Sequence, residues 1–231
     1  MDKIEVSIIM PSYEEEANLR ELLPEIKRVM NGSSIRYETL IVDTVNPMDH
    51  TGDVCESNGC FYINREKGNS YGDAVRTGIK HAKGKYIIFM DSDGSHSPEF
   101  IKELMRYRNE NDIVIASRYV EGGGTDNRKI LILMSLIVNV VYSKFLGLGC
   151  SDVSNSFRLY KAGLLKSLKL TSNNFDIVEE ILIKIEKQNK LLKIKEVPYY
   201  FKKRMFGRTK RNLLLFSLSY FFTLLKFKFS R

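Results

Sequence analysis

The stretch YIIFMDSDGSHSPEF, residues 86–100, runs an apolar segment of strand-forming residues straight into two aspartates one residue apart, Asp91 and Asp93. In a strand, residues i and i+2 point to the same face, so the two carboxylates converge if extended geometry persists to the strand end. Such a pair repels itself unless a proton or a cation lies between the charges. No Cys or His cluster is near, and an oxygen-only donor set favours Mg²⁺ or Mn²⁺, which keep waters and bind substrate phosphates. The same DSDGS also has the chemistry of a solvated turn, and taken alone it supports either reading.

Outward from this segment, the first half of the chain alternates two kinds of pattern. Residues 4–10, 37–43, 60–63, 86–91 and 112–117 are short, apolar and rich in β-branched or aromatic side chains, as strands buried on both faces should be. Between them, residues 15–30 place Leu19, Leu22, Leu23, Ile26 and Met30 at helical spacing, and 71–82 repeat the pattern with Ala74, Val75, Ile79 and Ala82. Ser97 is placed to cap a helix opening with Pro98 and Glu99. This alternation predicts an α/β fold, a doubly wound, mostly parallel sheet with helices on both faces, and ligands in such folds gather at the carboxyl ends of the strands. In the second half, the glycine-rich 121–129 reads as a mobile loop, 175–187 as a helix and 191–201 as one strand or two.

The 231 residues are enough for one catalytic-sized domain. Lys and Arg number 36 against 28 Asp and Glu, a net charge of +8, so an anionic partner is expected unless the charge serves only solubility. Six of the ten residues 202–211 are basic, but they adjoin apolar runs rather than interleave with exposed aromatics, which argues against a nucleic-acid-binding module. Three cysteines, Cys55, Cys60 and Cys150, form no CxxC pair and read as reduced packing residues, and the N-terminus has no secretory signal pattern, so the expected compartment is the cytoplasm. The apolar runs 130–142 and 213–225 are thirteen residues each. As helix, each would extend roughly 20 Å, short of a hydrocarbon core of about 30 Å.

A second motif changes the weight of the first. MPSYEEEANL puts Pro11 and Tyr13 at a strand end ahead of an acidic helical turn that can present Tyr13 and Glu15 above the sheet. Taken together, these segments resemble the family 2 glycosyltransferases of the nucleotide-sugar-binding GT-A fold, and within them the dolichyl-phosphate mannose synthases. The family's P-T-Y-N-E is similar to Pro11–Glu15, its D-A-D-L-S-H to Asp91–His96, and its S-x-R-Y to Ser117–Tyr119. Its glycine-rich E-K segment looks like EKGNSYGDAVRTGIKHAKG (66–84), its D-x-x-x-S-F-R-L-Y like DVSNSFRLY (152–160), and its E-V-P followed by R-x-x-G-x-S-K like Glu196–Pro198 with RMFGRTK (204–210).

The resemblance implies a metal-dependent, inverting hexosyltransferase. It implies Pro11, Tyr13, Glu15 and Asp43 around the donor nucleoside, Asp91, Ser92 and Asp93 at its diphosphate, and a Mg²⁺ or Mn²⁺ ion on Asp91 and Asp93 with Ser95 completing the site. Arg204 and Lys210 look like clamps on the donor diphosphate. The implied acceptor is a dolichyl or polyprenyl phosphate, with Arg118, Arg128 and Lys129 as the clamp on its phosphate and Arg118 counted with Asp91 and Asp93 among the catalytic groups. For Arg128 and Lys129 a solvated helix start is the competing reading. His96 reads either as a phosphate contact or as a structural hydrogen bond. Asp152 and Arg158 read as a buried pair organising the site or as direct contacts. Asp176 and Glu179 fall where relatives carry sugar-facing acids.

Departures from the pattern bear on the donor. Where the family commonly reads V-D-D-G-S, this chain has Val42, Asp43 and Thr44, so one of two acids in the base-reading segment is lost. A carboxylate accepts from the N1 and N2 donors of guanine, which threonine does poorly. Gly94 stands where leucine is usual, and Asn155 where glycine is usual. The expected donor is GDP-mannose, with UDP-glucose the alternative, and a saccharide acceptor is a third reading that would need a protein general base. Residues 1–211 are expected to form the catalytic domain, including an interface helix over 129–146, and 212–231 a C-terminal apolar and basic helix. The two runs flanked by basic residues suit a membrane interface, so peripheral attachment at the cytoplasmic face is expected, aided by a membrane-anchoring subunit or a second copy of the chain. Core or dimer packing is the alternative use of those runs.

Overall fold

The computed structural model describes residues 3–189 and 191–208. Lys210 and the expected C-terminal helix 212–231 lie outside the described residues. In chain order the elements are β1 (Val6–Pro11), α1 (Glu16–Asn31), β2 (Tyr37–Asp43), α2 (Thr51–Asn58), β3 (Phe61–Asn64), α3 (Tyr71–His81), β4 (Tyr86–Phe89) and α4 (Phe100–Arg106). Then follow β5 (Ile113–Ser117), β6 (Gly124–Thr125), α5 (Lys129–Leu146), β7 (Arg158–Lys161), α6 (Ala162–Lys166), α7 (Ile177–Gln188), β8 (Ile194–Pro198) and β9 (Tyr200–Phe201).

Seven strands form one sheet in the order β3-β2-β1-β4-β7-β5-β8. All run parallel except β7, which is antiparallel to both neighbours. Because the central strands are apolar on both faces, helices must cover both sides, and two buried clusters result. Ile8, Met10 and Ile88 face Leu19, Leu22, Leu23 and Ile26 of α1 with Ile101 and Leu104 of α4. Ile9, Ile87 and Ile113 face Ala74 and Val75 of α3 with Ile181 and Leu182 of α7. The chain passes from one side of β1 to the other between β3 and β4, so β1 and β4 are neighbours with a crevice above their carboxyl ends, where open sheets of this kind bind ligands.

The structure departs from the expected elements in several places, and the short helices α2 and α6 match no expected element. The helix after the aspartates begins at Phe100 with Glu99 at its cap, and the Ser97 carbonyl instead accepts the Phe100 N–H in a preceding turn. Within 121–129, Gly124 and Thr125 form a short strand paired with Tyr200 and Phe201. Residues 158–161, part of a motif but not of any expected strand, enter the middle of the sheet. Finally, β4 ends at Phe89, because the Met90 N–H makes the last bond to β1 and the Asp91 N–H turns to His96 Nδ1. Asp91 and Asp93 therefore lie in a turn, not in an extension of the strand.

Candidate active site

The turn after β1 is pinned by the Ser12 N–H on the Val42 carbonyl at 2.9 Å. It leaves Tyr13 36% exposed above the crevice. Among the described residues Glu14 is the one non-glycine with positive φ, at 53°, a strained conformation of the kind found at ligand sites. Glu15, at the cap of α1, is buried, and its carboxylate accepts Asn18 Nδ2 at 2.6 Å.

After β4 the loop is held from several sides. Ser92 Oγ donates to the Pro11 carbonyl at 3.0 Å, joining the two strand ends. Asp93 Oδ1 accepts the Ser95 N–H at 3.0 Å and Ser95 Oγ at 2.5 Å, so the hydroxyl expected to complete a metal site orients Asp93 here. Ser156 Oγ donates to Asp91 Oδ1 at 3.0 Å. Tyr199 Oη donates to the Ser95 carbonyl and accepts the Ser97 N–H, each at 2.8 Å, and burial first, then Asp91 and Asp93, push its hydroxyl up to about 12. His96 is fully buried and stacks on Phe157 at 4.5 Å. Its Nδ1 accepts the Asp91 N–H at 2.9 Å, and burial lowers its pKa against the pull of both aspartates. These contacts shape the loop, while Nε2 has no hydrogen-bond partner.

Each aspartate thus has Oδ1 held by a serine, while its Oδ2 faces a basic side chain: Asp91 Oδ2 lies 3.9 Å from His96 Nε2 and Asp93 Oδ2 lies 3.6 Å from Arg204 Nε. Arg204 also makes a bidentate pair with Glu15, Nη1 at 2.8 Å and Nη2 at 2.6 Å. Among the described residues no group of three or more Cys, His, Asp or Glu could hold a metal by itself. Two hard carboxylate oxygens that look to a ligand's phosphates and water for the remaining positions nevertheless fit Mg²⁺ or Mn²⁺.

On the other side of β1 lies a second group. Asp43 is fully buried, with Oδ2 accepting Tyr62 Oη at 3.0 Å and Oδ1 without a hydrogen-bond partner. Burial raises its pKa, although the Thr44 backbone and Tyr62 bonds pull the other way. The Thr44 hydroxyl donates to the Asn46 carbonyl at 2.7 Å. Arg65, buried at the end of β3, donates to the carbonyls of Ser12 and Asn69 and at 3.3 Å to that of Ser70, tying the β1 turn to the loop before α3. Sequence reasoning missed Arg65, Asn18, Ser156 and Tyr199. Arg65 immediately precedes the EKGNS segment, and Ser156 and Tyr199 lie within or beside quoted motifs, but nothing local showed where their side chains would reach.

Arg118, at the end of β5, is 8% exposed in its side chain. Its Nε and Nη2 form a bidentate pair with Asp152 at 2.8 Å each, and Nη2 also donates to Ser154 Oγ at 2.8 Å. Burial would raise the Asp152 pKa, but the bonds and charge of Arg118 outweigh it and hold the carboxyl below its ordinary value. The acid–base pair of this motif is therefore Asp152 with Arg118, while buried Arg158 donates to the Asp152 backbone carbonyl at 2.9 Å. Arg128 and Lys129 are exposed at the start of α5. Asp176 and Glu179 are buried at the start of α7, near Tyr142, whose hydroxyl is pushed up first by burial and then by these two carboxylates.

A mostly parallel sheet with a crevice at β1 and β4, an aromatic and acidic turn on one lip and a carboxylate pair on the other, is the arrangement of the GT-A class. Residues 7–169 match Glycosyl transferase family 2, and the chain belongs to that family. It is 34% identical over 216 residues to a dolichol-phosphate mannosyltransferase of Pyrococcus furiosus, covering 90% of this chain and 59% of that protein. The chain thus spans less than two thirds of the length of that relative. It is 28% identical over 217 residues to an undecaprenyl-phosphate mannosyltransferase of Micrococcus luteus, covering 89% of this chain and 86% of that protein. Glucosyl-3-phosphoglycerate synthase from Mycobacterium tuberculosis, solved with Mn²⁺, UDP and phosphoglyceric acid, shares the fold at a TM-score of 0.75 and 17% identity, over 98% of this chain and 79% of that one. The same enzyme solved with Mg²⁺ and UDP has a TM-score of 0.73.

Proposed function

We propose that the protein transfers a hexose from a nucleoside diphosphate sugar to a polyprenyl phosphate, with inversion at the anomeric carbon. The observation that carries this reading is the meeting of Glu15, Asp93 and Arg204 at the β1/β4 crevice, with Arg204 2.6 Å from Glu15 and 3.6 Å from Asp93. The names of the two relatives supply the lipid acceptor and favour mannose from GDP-mannose. A single observation favours UDP-glucose instead. Thr44 stands where the resembling family has a second acid, so Asp43 is the one carboxylate at the end of β2, which suits the single imide N–H of uracil better than the two donors of guanine.

Asp91 and Asp93 would hold a Mg²⁺ or Mn²⁺ ion, which would offset charge on the diphosphate leaving group. Tyr13 and Pro11 line the nucleoside, Ser92 keeps the two lips together, and Arg204 with Lys210 supplies cations to the diphosphate. The acceptor's second pKa is about 6, so its phosphate is largely dianionic at neutral pH and attacks without a protein base. One phosphate oxygen bonds to the anomeric carbon as the bond from that carbon to the diphosphate oxygen breaks, and the nucleoside diphosphate departs with the electron pair. Arg128 and Lys129 meet the acceptor phosphate at the positive end of α5. Arg118, fixed by Asp152, presents a pre-positioned cation at the end of β5.

The exposed face of α5 (Ile130, Leu133, Leu136, Ile137 and Val140) follows Arg128 and Lys129 directly and suits a membrane interface in which the lipid acceptor lies. No helix of the described residues is long and apolar enough to cross a membrane. Radiolabelled GDP-mannose and UDP-glucose, each incubated with short polyprenyl phosphate and Mn²⁺, test the reading. Label in the lipid phase is expected from one donor, and absence of lipid product from both removes the reading.

A further inference from the structure

The segment Arg204–Phe206 crosses the crevice at three separate points. The Arg204 guanidinium is shared between Glu15 and Asp93. The Met205 N–H donates to the Asp93 carbonyl at 2.9 Å, and its side chain lies against Gly94. The Phe206 N–H donates to Asn18 Oδ1 at 2.9 Å, and its carbonyl accepts both Asn18 Nδ2 at 3.3 Å and Arg204 Nη1 at 3.1 Å. Asn18 is buried on α1, and its Nδ2 also donates to Glu15. One asparagine thus fixes both the strap and the carboxylate that receives Arg204.

The charges of the cluster explain why a basic side chain sits there. Glu15 and Asp93 meet at one guanidinium, and Asp91 opens the same loop after β4. Arg204 is the cation paired with Glu15, and its Nε faces Asp93 Oδ2, the oxygen that Ser95 leaves open. A divalent ion on Asp91 and Asp93 would be repelled by a guanidinium at that oxygen, whereas a diphosphate arriving with the ion would attract it.

We infer that Arg204 is the resident cation of the carboxylate cluster before donor binds. It gives up Asp93 to the divalent ion and turns to the donor diphosphate, while Asn18 anchors the strap at Phe206 and keeps the arginine within reach. This inference rests on the proposed nucleotide-sugar site but needs neither sugar nor lipid to be tested. Asn18 is a positioning residue; Arg204 couples metal binding to donor binding.

The test is a Mn²⁺ titration of the full chain, followed by the electron paramagnetic resonance of free Mn²⁺, with and without UDP or GDP. Arg204→Met is expected to tighten Mn²⁺ binding in the absence of nucleotide roughly three- to tenfold, by removing an opposing charge. The same variant is expected to weaken nucleoside diphosphate binding in saturating Mn²⁺. Arg204→Lys, which keeps the charge, should bind Mn²⁺ alone within about twofold of the native protein. Hydrogen exchange supplies a readout that does not depend on metal, since Asn18→Ala should speed exchange at the Phe206 amide. Unchanged or weaker Mn²⁺ binding by a folded Arg204→Met protein, no Mn²⁺ binding by either protein, or an unchanged Phe206 amide in Asn18→Ala overturns the inference. A failed lipid assay with tightened Mn²⁺ binding would remove the proposed acceptor and leave the exchange standing.

Discussion

At Gly94 the backbone has a φ of 83°, and an added β-carbon would lie 2.5 Å from Cγ and Sδ of Met205. The resemblance leads one to expect leucine there, and in this chain Met205 occupies the space such a side chain would need. Gly94→Ala should destabilise the protein by about 1–3 kcal/mol from backbone strain and overpacking together. Adding Met205→Ala should return part of that loss, since it removes the collision but not the positive φ, and urea denaturation of the three variants reads both effects. Asp43 behaves in the opposite sense. Its folded-state pKa is raised by burial, so between the ordinary carboxylate value and the raised one stability falls as pH rises, and at neutral pH the buried charge weighs fully against the fold. Asp43→Asn should therefore raise Tm at pH 7 while weakening UDP or GDP binding about tenfold or more through loss of its acceptor oxygen. A thermal scan and a nucleotide titration on the same sample check the pair of effects.

At the scale of elements, the strands of the first half and the helices α1 and α3 were legible because each carries its own period, whereas α2, which buries only Thr51, Val54 and Cys55, carries none. Strand β7 was not. RLYK is four residues long, and its place between β4 and β5 depends on antiparallel partners far away in sequence, Tyr86–Phe89 and Ile113–Ile115. The same insertion brings Ser156 to Asp91, so the site residue missed by sequence reasoning follows from the element missed. Helix α5 is a different case, since its apolar run was plain but its environment was not. The structure buries Tyr142 against the core and leaves Leu133 and Ile137 more than half exposed. Leu133→Glu with Ile137→Glu should reduce co-sedimentation with anionic lipid vesicles and leave Tm nearly unchanged, because neither side chain packs in the core. Unchanged vesicle binding with loss of a dimer on size exclusion would assign the face to a second copy of the chain.

Across the whole molecule, acidic groups in satisfied sites set the acid limb of stability. For Asp152, Asp112, Asp73 and Glu180 burial would raise the pKa, but hydrogen bonds and the charges of Arg118, Lys161, Arg76 and Lys184 respectively prevail and lower it. A carboxyl lowered in the folded state contributes stability that is present above its unfolded value, about 4, and is lost as pH falls through the folded value. The urea midpoint should thus be nearly flat from about pH 5 to 7 and drop steeply below about pH 4. Asp152→Asn should make that drop shallower while costing about 3–5 kcal/mol at neutral pH, because Arg118 is left without its buried partner.

Periodicity alone was enough to indicate a parallel α/β sheet, and two short motifs marked the lips of its crevice, because strand burial and turn chemistry are written within a few residues. Tertiary structure alone decided which charges meet. Arg204 reaches Glu15 across 189 positions and Asp152 takes Arg118 instead of Arg158. The physical reason is that a guanidinium pairs with whatever carboxylate the packed elements bring within about 3 Å, and that neighbour has no local signature.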